Sequence, residues 1–173
     1  MATAFNRIKQ DSCIFMVKPD LKKPIHFLAF GFGSGLSPKA PGTAGTLAAI
    51  PVYLLFIQFE LAVYLLLTAL VCITGIYICG KTSEDLGVHD HGGIVWDEIA
   101  GYLVTMIMVP VNWQTLVAGF ILFRLFDIVK PWPISWLDKK VSGGLGIMVD
   151  DLLAGFFALL VLQLLLKLTI IPV

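Results

Sequence analysis

The chain has 173 residues, enough for one domain, and 58% of them are apolar against 14% charged, with a mean hydropathy of +0.89. Water-soluble domains are seldom so apolar, and 12 basic residues balance 12 acidic ones, so no global field draws in a nucleic acid. The three cysteines, Cys13, Cys72 and Cys79, are odd in number and form no CxxC pair; they read as packing residues and not as a disulfide framework.

Residues 1–24 form a polar tail, and residues 25–173 are expected to form a single membrane-embedded domain. The tail's one apolar run, Ile14 to Val17, is too short for the core of a signal peptide, so the tail is expected to stay attached. The apolar stretch at 25–36 is broken by Gly31, Gly33 and Gly35, which suits an interfacial or re-entrant segment. A turn-rich segment, Ser37-Pro38-Lys39-Ala40-Pro41-Gly42-Thr43-Ala44-Gly45-Thr46, leads into the first long helix, with Thr43 or Thr46 expected to cap it.

Five apolar blocks follow, at 47–59, 61–80, 99–111, 115–129 and 152–171. Only the second and fifth approach the roughly 20 residues that a helix needs to cross a bilayer core of about 30 Å. The other three would also suit a soluble bundle, but the loops between the blocks are too brief to shield so much apolar surface from water. The expected fold class is all-α: an integral membrane helical bundle with four or five spanning helices and an interfacial N-terminal segment.

Charge placement orients this bundle. If each block crosses once from an inner N-terminus, Arg7, Lys9, Lys18, Lys22, Lys23, Lys39, Lys81, Arg124, Lys130, Lys139 and Lys140 lie on or near the inner side, and only Lys167 does not. This is the positive-inside bias, which puts the N-terminus in the cytoplasm and the C-terminus outside.

Acidic residues carry the sharpest chemical signal. Gly92-Gly93-Ile94-Val95-Trp96-Asp97-Glu98 is echoed by Gly143-Gly144-Leu145-Gly146-Ile147-Met148-Val149-Asp150-Asp151, and Ala100-Gly101 by Ala154-Gly155. A charge moved toward hydrocarbon costs about 2.5–3.5 kcal/mol on the mildest scale, so such pairs at helix entrances need an explanation. Helix capping is the simple reading of either pair taken alone. Two pairs on the same membrane side, joined by Asp127, favour a divalent cation held by oxygen ligands, with Mg²⁺ the natural choice.

In Phe123-Arg124-Leu125-Phe126-Asp127-Ile128-Val129-Lys130, the charges recur every three residues along one broad helical face. A self-neutralising ladder is the simple reading. Arg124 and Lys130 receiving phosphate oxygens, with Asp127 binding metal, is the functional one. Gly31 to Ser37 and Pro41 to Thr46 could offer N–H groups and the hydroxyls of Ser34, Ser37, Thr43 and Thr46 to an anion, or merely turn the chain. His89 could act as general acid, bind metal or decorate a polar loop. No cysteine-phosphate, DxDxT-like or HExxH motif occurs, so metal-assisted attack by water fits best, with an aspartate nucleophile as the alternative.

Four ordered blocks then resemble a known family. Gly31-Phe32-Gly33-Ser34-Gly35 with Ser37-Pro38 and Pro41-Gly42-Thr43, His89-Asp90 with Ile94 to Glu98, Phe123-Arg124 to Asp127 with Lys130-Pro131-Trp132-Pro133, and Gly143 to Met148 with Asp150-Asp151 look like phosphatidylglycerophosphatase A. The likeness runs from about residue 26 to 156. It implies a Mg²⁺-dependent hydrolase of the terminal phosphomonoester of phosphatidylglycerophosphate, multi-pass in the bacterial cytoplasmic (inner) membrane and taking its phospholipid substrate from the cytoplasmic leaflet. Asp97, Glu98, Asp127, Asp150 and Asp151 would form the metal site, Arg124 and Lys130 would bind phosphate, His89 would donate a proton, and the 34–46 loop would close over the headgroup. The rival readings are a cation-coupled transporter using intramembrane acids, and a structural membrane subunit.

Overall fold

A computed structural model describes residues 19–88 and 91–168, and all regular structure among them is helical. The tail through Lys18, with Cys13, and the His89-Asp90 pair lie outside the described residues. The helices are α1 (Pro24–Ala29), a 3₁₀ turn (Gly31–Leu36), α2 (Pro41–Phe56), α3 (Leu61–Leu86), α4 (Trp96–Thr105), α5 (Trp113–Val129), α6 (Ile134–Lys140) and α7 (Gly143–Lys167).

Two of them, α3 with 26 residues and α7 with 25, are long and apolar enough to cross a membrane, and α2 is a shorter apolar helix of 16 residues. Many large side chains face outward, among them Leu66, Ile73, Ile121 and Leu164, as expected of a bundle whose surroundings are apolar. The axis of the fold is α7, which packs against α3, α4, α5 and α6.

The segment 25–36 folds as two short pieces strapped to the bundle. His26 is buried; its Nδ1 accepts from the Asp20 N–H at 3.1 Å, and its Nε2 lies 3.3 Å from Asp85 on α3. The Val95 N–H donates to the Ala29 carbonyl at 2.8 Å, which ties this strap to the residue just before α4.

Capping of α2 departs from expectation. Its N-cap is Ala40, in the left-handed region at φ 48°, with no side-chain cap bond, and Pro41 opens the helix because its missing N–H would be unpaired there in any case. Thr46 instead donates to the Gly42 carbonyl one turn back, at 2.9 Å, so neither threonine is the cap.

The apolar block at 99–111 also differs from a single helix. α4 ends at Thr105, because Met108 takes a positive φ of 55° and Pro110 has no N–H to continue the ladder. Ten residues give about 15 Å of helix, half a bilayer core. The carbonyls freed beyond the break are met by side chains. Tyr53 donates to Val109, Thr115 to Pro110, and Gln163 to Ile107 and Met108. Tyr53, Tyr64 and Tyr102 pack edge to face around this point, with ring centroids 6.2 and 6.3 Å apart.

Candidate active site

The site is built where α4 and α7 cross. Gly101 and Gly155 sit at the crossing with no side chain between them: a Cβ on Gly155 would lie 3.0 Å from the Gly101 carbonyl carbon, and one on Gly101 would lie 2.8 Å from the Asp151 carbonyl oxygen. Thr105 bridges the two, donating to the Gly101 carbonyl at 3.0 Å and approaching that of Gly155 at 3.3 Å. One helical turn earlier on each helix stands an acid, Asp97 on α4 and Asp151 on α7. The glycine contact therefore sets the separation of the carboxylates.

These acids line a cavity of about 190 Å³ together with Glu98, Asp127, Lys130, Asp138 and Asp150. One oxygen from each of Asp97, Glu98 and Asp151 falls within 4.8 Å of the others. The five acids singled out in the sequence thus divide by task. Three converge, Asp127 pairs with Arg124 at 2.6 Å, and Asp150 pairs with Lys130.

Burial makes this arrangement costly without a cation. Asp97, Asp150 and Asp151 are buried, and Asp97 Oδ1, Glu98 Oε2, Asp150 Oδ1 and Asp151 Oδ2 have no hydrogen-bond partner. Ionised carboxylates in such surroundings are unfavourable by several kcal/mol each unless paired or metal-bound. Among the described residues the positive charge lining the cavity is Lys130, and Arg124 stands behind the lining, paired with Glu98 and Asp127. The residues therefore fit a hard divalent ion, which takes carboxylate oxygens and relieves their repulsion.

Helix capping does not explain the second acidic pair. Asp150 and Asp151 are the eighth and ninth residues of α7, about 11 Å along its axis from the start, beyond the reach of its free N–H groups. Asp97 and Glu98 do stand in the first turn of α4.

The two cations stand differently to the cavity. Arg124 Nη1 spans from Asp127 Oδ2 to Glu98 Oε1, at 2.6 and 3.7 Å. Gly42, in the first turn of α2, lies against this pair, and a Cβ there would be 3.0 Å from both Nη atoms. Lys130 does not continue the face of Arg124 and Asp127 as the three-residue spacing suggests. It is the C-cap of α5, at φ 42°, and Nζ donates to Asp150 Oδ2 and to Asp138 Oδ1, the latter at 3.0 Å. Burial alone would lower the Lys130 ammonium, but the bonds to Asp150 and Asp138 outweigh it and hold the pKa above the ordinary lysine range.

The expected hydroxyls are not at the cavity. Ser34 faces an apolar groove between the 3₁₀ turn and α2, Ser37 donates to the Lys39 carbonyl, Thr46 is buried within α2, and Thr43 is half-buried in its first turn. From that loop, Gly42 is the residue brought against the site. His89 lies outside the described residues; the nearby His91 accepts from the Gly93 N–H at 3.1 Å and packs on Phe30. Sequence reading missed Asp138, which sits beside Lys139 and Lys140 on a short helix and looks there like an ordinary surface acid. The tight turn at Pro131-Trp132-Pro133 was the available signal, since it folds α6 back toward Lys130.

Fold and site together define an all-helical membrane-type bundle with a buried carboxylate site flanked by Arg124 and Lys130. A family model described as phosphatidylglycerophosphatase A matches residues 27–166, a span that contains every charged residue of the cavity. Phosphatidylglycerophosphatase A of Escherichia coli (strain K12) is 52% identical over 136 residues, covering 78% of this chain and 79% of that relative. The Haemophilus influenzae protein of the same name is 47% identical over 146 residues, 83% and 90% of the two chains. A protein of Bacteroides thetaiotaomicron described as a putative phosphatidylinositol-3-phosphatase is 36% identical over 140 residues, 76% and 87%. No solved structure matches. The chain belongs to the phosphatidylglycerophosphatase A family.

Proposed function

We propose that this protein is a Mg²⁺-dependent lipid phosphatase that hydrolyses the terminal phosphomonoester of phosphatidylglycerophosphate, giving phosphatidylglycerol and inorganic phosphate. It is a multi-pass protein of the bacterial cytoplasmic membrane and takes its lipid from the cytoplasmic leaflet. The observation that carries this reading is the convergence of three carboxylate oxygens within 4.8 Å, beside an arginine and a lysine, in a member of a family named for this reaction.

Asp97, Glu98 and Asp151 would hold the ion, and Asp127 would hold Arg124, which together with Lys130 would meet the phosphate. Bound Mg²⁺ would lower the pKa of water and offset charge on the phosphate oxygens. Arg124 offers a planar fork to two of those oxygens, and Lys130 offers a mobile point charge to a third. Asp150 Oδ1, buried and unpartnered, accepts the proton that the attacking water loses. His89 is the proposed donor to the leaving glycerol oxygen.

The bundle crosses the membrane four or five times, with α4 and the satisfied irregular segment after it serving as one broken crossing. Eleven basic residues on the inner side support this orientation. A cation-coupled transporter would use the same acids, but neither the family nor the relatives favour it.

The test is phosphate release by purified, detergent-solubilised protein from phosphatidylglycerophosphate, phosphatidic acid and phosphatidylinositol 3-phosphate, each with and without Mg²⁺. Preferential Mg²⁺-dependent turnover of the first is expected. No release from any lipid phosphate would overturn the proposal.

A further inference from the structure

Lys130 is shared between two carboxylates of unlike standing. Asp150, on α7, is buried among the other acids, with its side chain 8% exposed, whereas Asp138, on α6, stands at the mouth of the cavity with its side chain 40% exposed. Nζ contacts both, directly at Asp150 and at 3.0 Å from Asp138 Oδ1. The left-handed backbone of Lys130 fixes where its stem leaves α5, so the ammonium can travel between these two acceptors without moving a helix.

Lys130 is the counter-charge of Asp150. A divalent ion on Asp97, Glu98 and Asp151 would share a cavity of about 190 Å³ with that ammonium, and like charges so close in a poorly solvated space repel strongly. That repulsion drives the ammonium toward the cavity mouth, where the acceptor already in contact with it is Asp138.

We propose that Asp138 is a positioning residue: it takes the Lys130 ammonium from Asp150 when the acidic cluster binds a divalent cation, and holds it at the cavity mouth where a phosphate arrives. This rests on the metal-binding reading above. Asp138 then acts only through Lys130, and its removal leaves the lysine with Asp150 as its sole acidic acceptor, competing with the ion for the cluster.

The experiment measures Mn²⁺ binding, by electron paramagnetic resonance of the full chain in detergent with no lipid substrate, for the wild type, Asp138→Asn, Asp138→Glu, Lys130→Gln and the double variant Asp138→Asn/Lys130→Gln. Residues in one charge network couple strongly enough to expect Asp138→Asn to weaken Mn²⁺ binding about 3- to 10-fold. Asp138→Glu should retain the affinity, because it keeps the acceptor. Lys130→Gln should bind at least as tightly as wild type, and in that background Asp138→Asn should change affinity less than about twofold.

Equal losses from Asp138→Asn with and without Lys130 would show a simple through-space charge effect and overturn the inference, as would no loss in either background. If Asp138→Asn fails to fold by its thermal transition, Lys130→Gln alone decides, since weakened Mn²⁺ binding there contradicts a competing lysine. A wild type that binds no Mn²⁺ overturns the metal reading as well; one that binds it but shows additive variants overturns this inference alone.

Discussion

Gly101 and Gly155 meet at the crossing of α4 and α7, so close that a Cβ on Gly155 would press on the Gly101 backbone. Because Asp97 and Asp151 each precede their glycine by one turn, this contact between two residues without side chains fixes the distance between two residues with charge. The two helices must also run in the same direction for both pairs to meet.

The first prediction follows from that contact. Gly155→Ala forces a methyl group against backbone that cannot rotate away, so the helices must part. Overpacking of this kind costs about 1–3 kcal/mol, and thermal unfolding in detergent should show a lowered transition. The shift should carry a loss of Mn²⁺ affinity, because the carboxylates separate with the helices. A variant with wild-type stability and affinity would mean that the crossing does not set the site.

Chelation provides a second check. Prolonged EDTA treatment, with residual metal measured, should abolish phosphate release, and Mg²⁺ should restore it, with Mn²⁺ as a substitute. Full turnover by metal-free protein would contradict a cation held by Asp97, Glu98 and Asp151.

Neutral isosteres separate ligands from caps. Asp97→Asn, Glu98→Gln and Asp151→Asn should each lower turnover by about 10²- to 10³-fold, the usual effect of losing a group that stabilises transition-state charge. A lost cap would instead cost about 1 kcal/mol of stability and leave chemistry intact. Glu60→Gln, at the exposed start of α3 and outside the cavity, should be close to wild type. Near-normal rates in folded Asp97→Asn and Asp151→Asn would remove both from the site.

Arg124→Lys tests the basic pair. A lysine keeps the charge but loses the planar guanidinium, whose Nη1 meets both Asp127 and Glu98 and whose fork would grip two phosphate oxygens. The apparent KM for lipid should rise, with turnover reduced as well, whereas an arginine serving only as a counter-charge would be replaced without kinetic effect.

Orientation can be read from labelling. Single cysteines at Lys81 and Ser142, in a background lacking Cys13, Cys72 and Cys79, should resist an impermeant thiol reagent in intact cells, while one at Asn112 should react. The reverse pattern would place the cavity on the outer face.

The amino-acid sequence by itself determined the helical membrane class and the family, and it marked the five acids, Arg124 and Lys130 as candidates, because apolar block length and charged groups within apolar surroundings are local properties with large energies. It also contained the echo around Gly101 and Gly155, though with the two acidic pairs matched to each other. Only the tertiary structure decided the true correspondence, Asp97 with Asp151, one position away from that matching. Neighbouring residues on a helix point about 100° apart, so which acid of a pair faces the partner helix depends on how the helices pack. For the same reason Asp138 entered the site unannounced, carried there by a turn and a packed helix. The hydroxyls of Ser37 and Thr46 were bound elsewhere, because local carbonyls claimed them first, and that of Ser34 is buried beside an apolar groove without a hydrogen-bond partner. Pro110 marks in the sequence that α4 must stop, but the partners of the carbonyls left beyond it, Tyr53 and Gln163 from distant helices, came only with the packing.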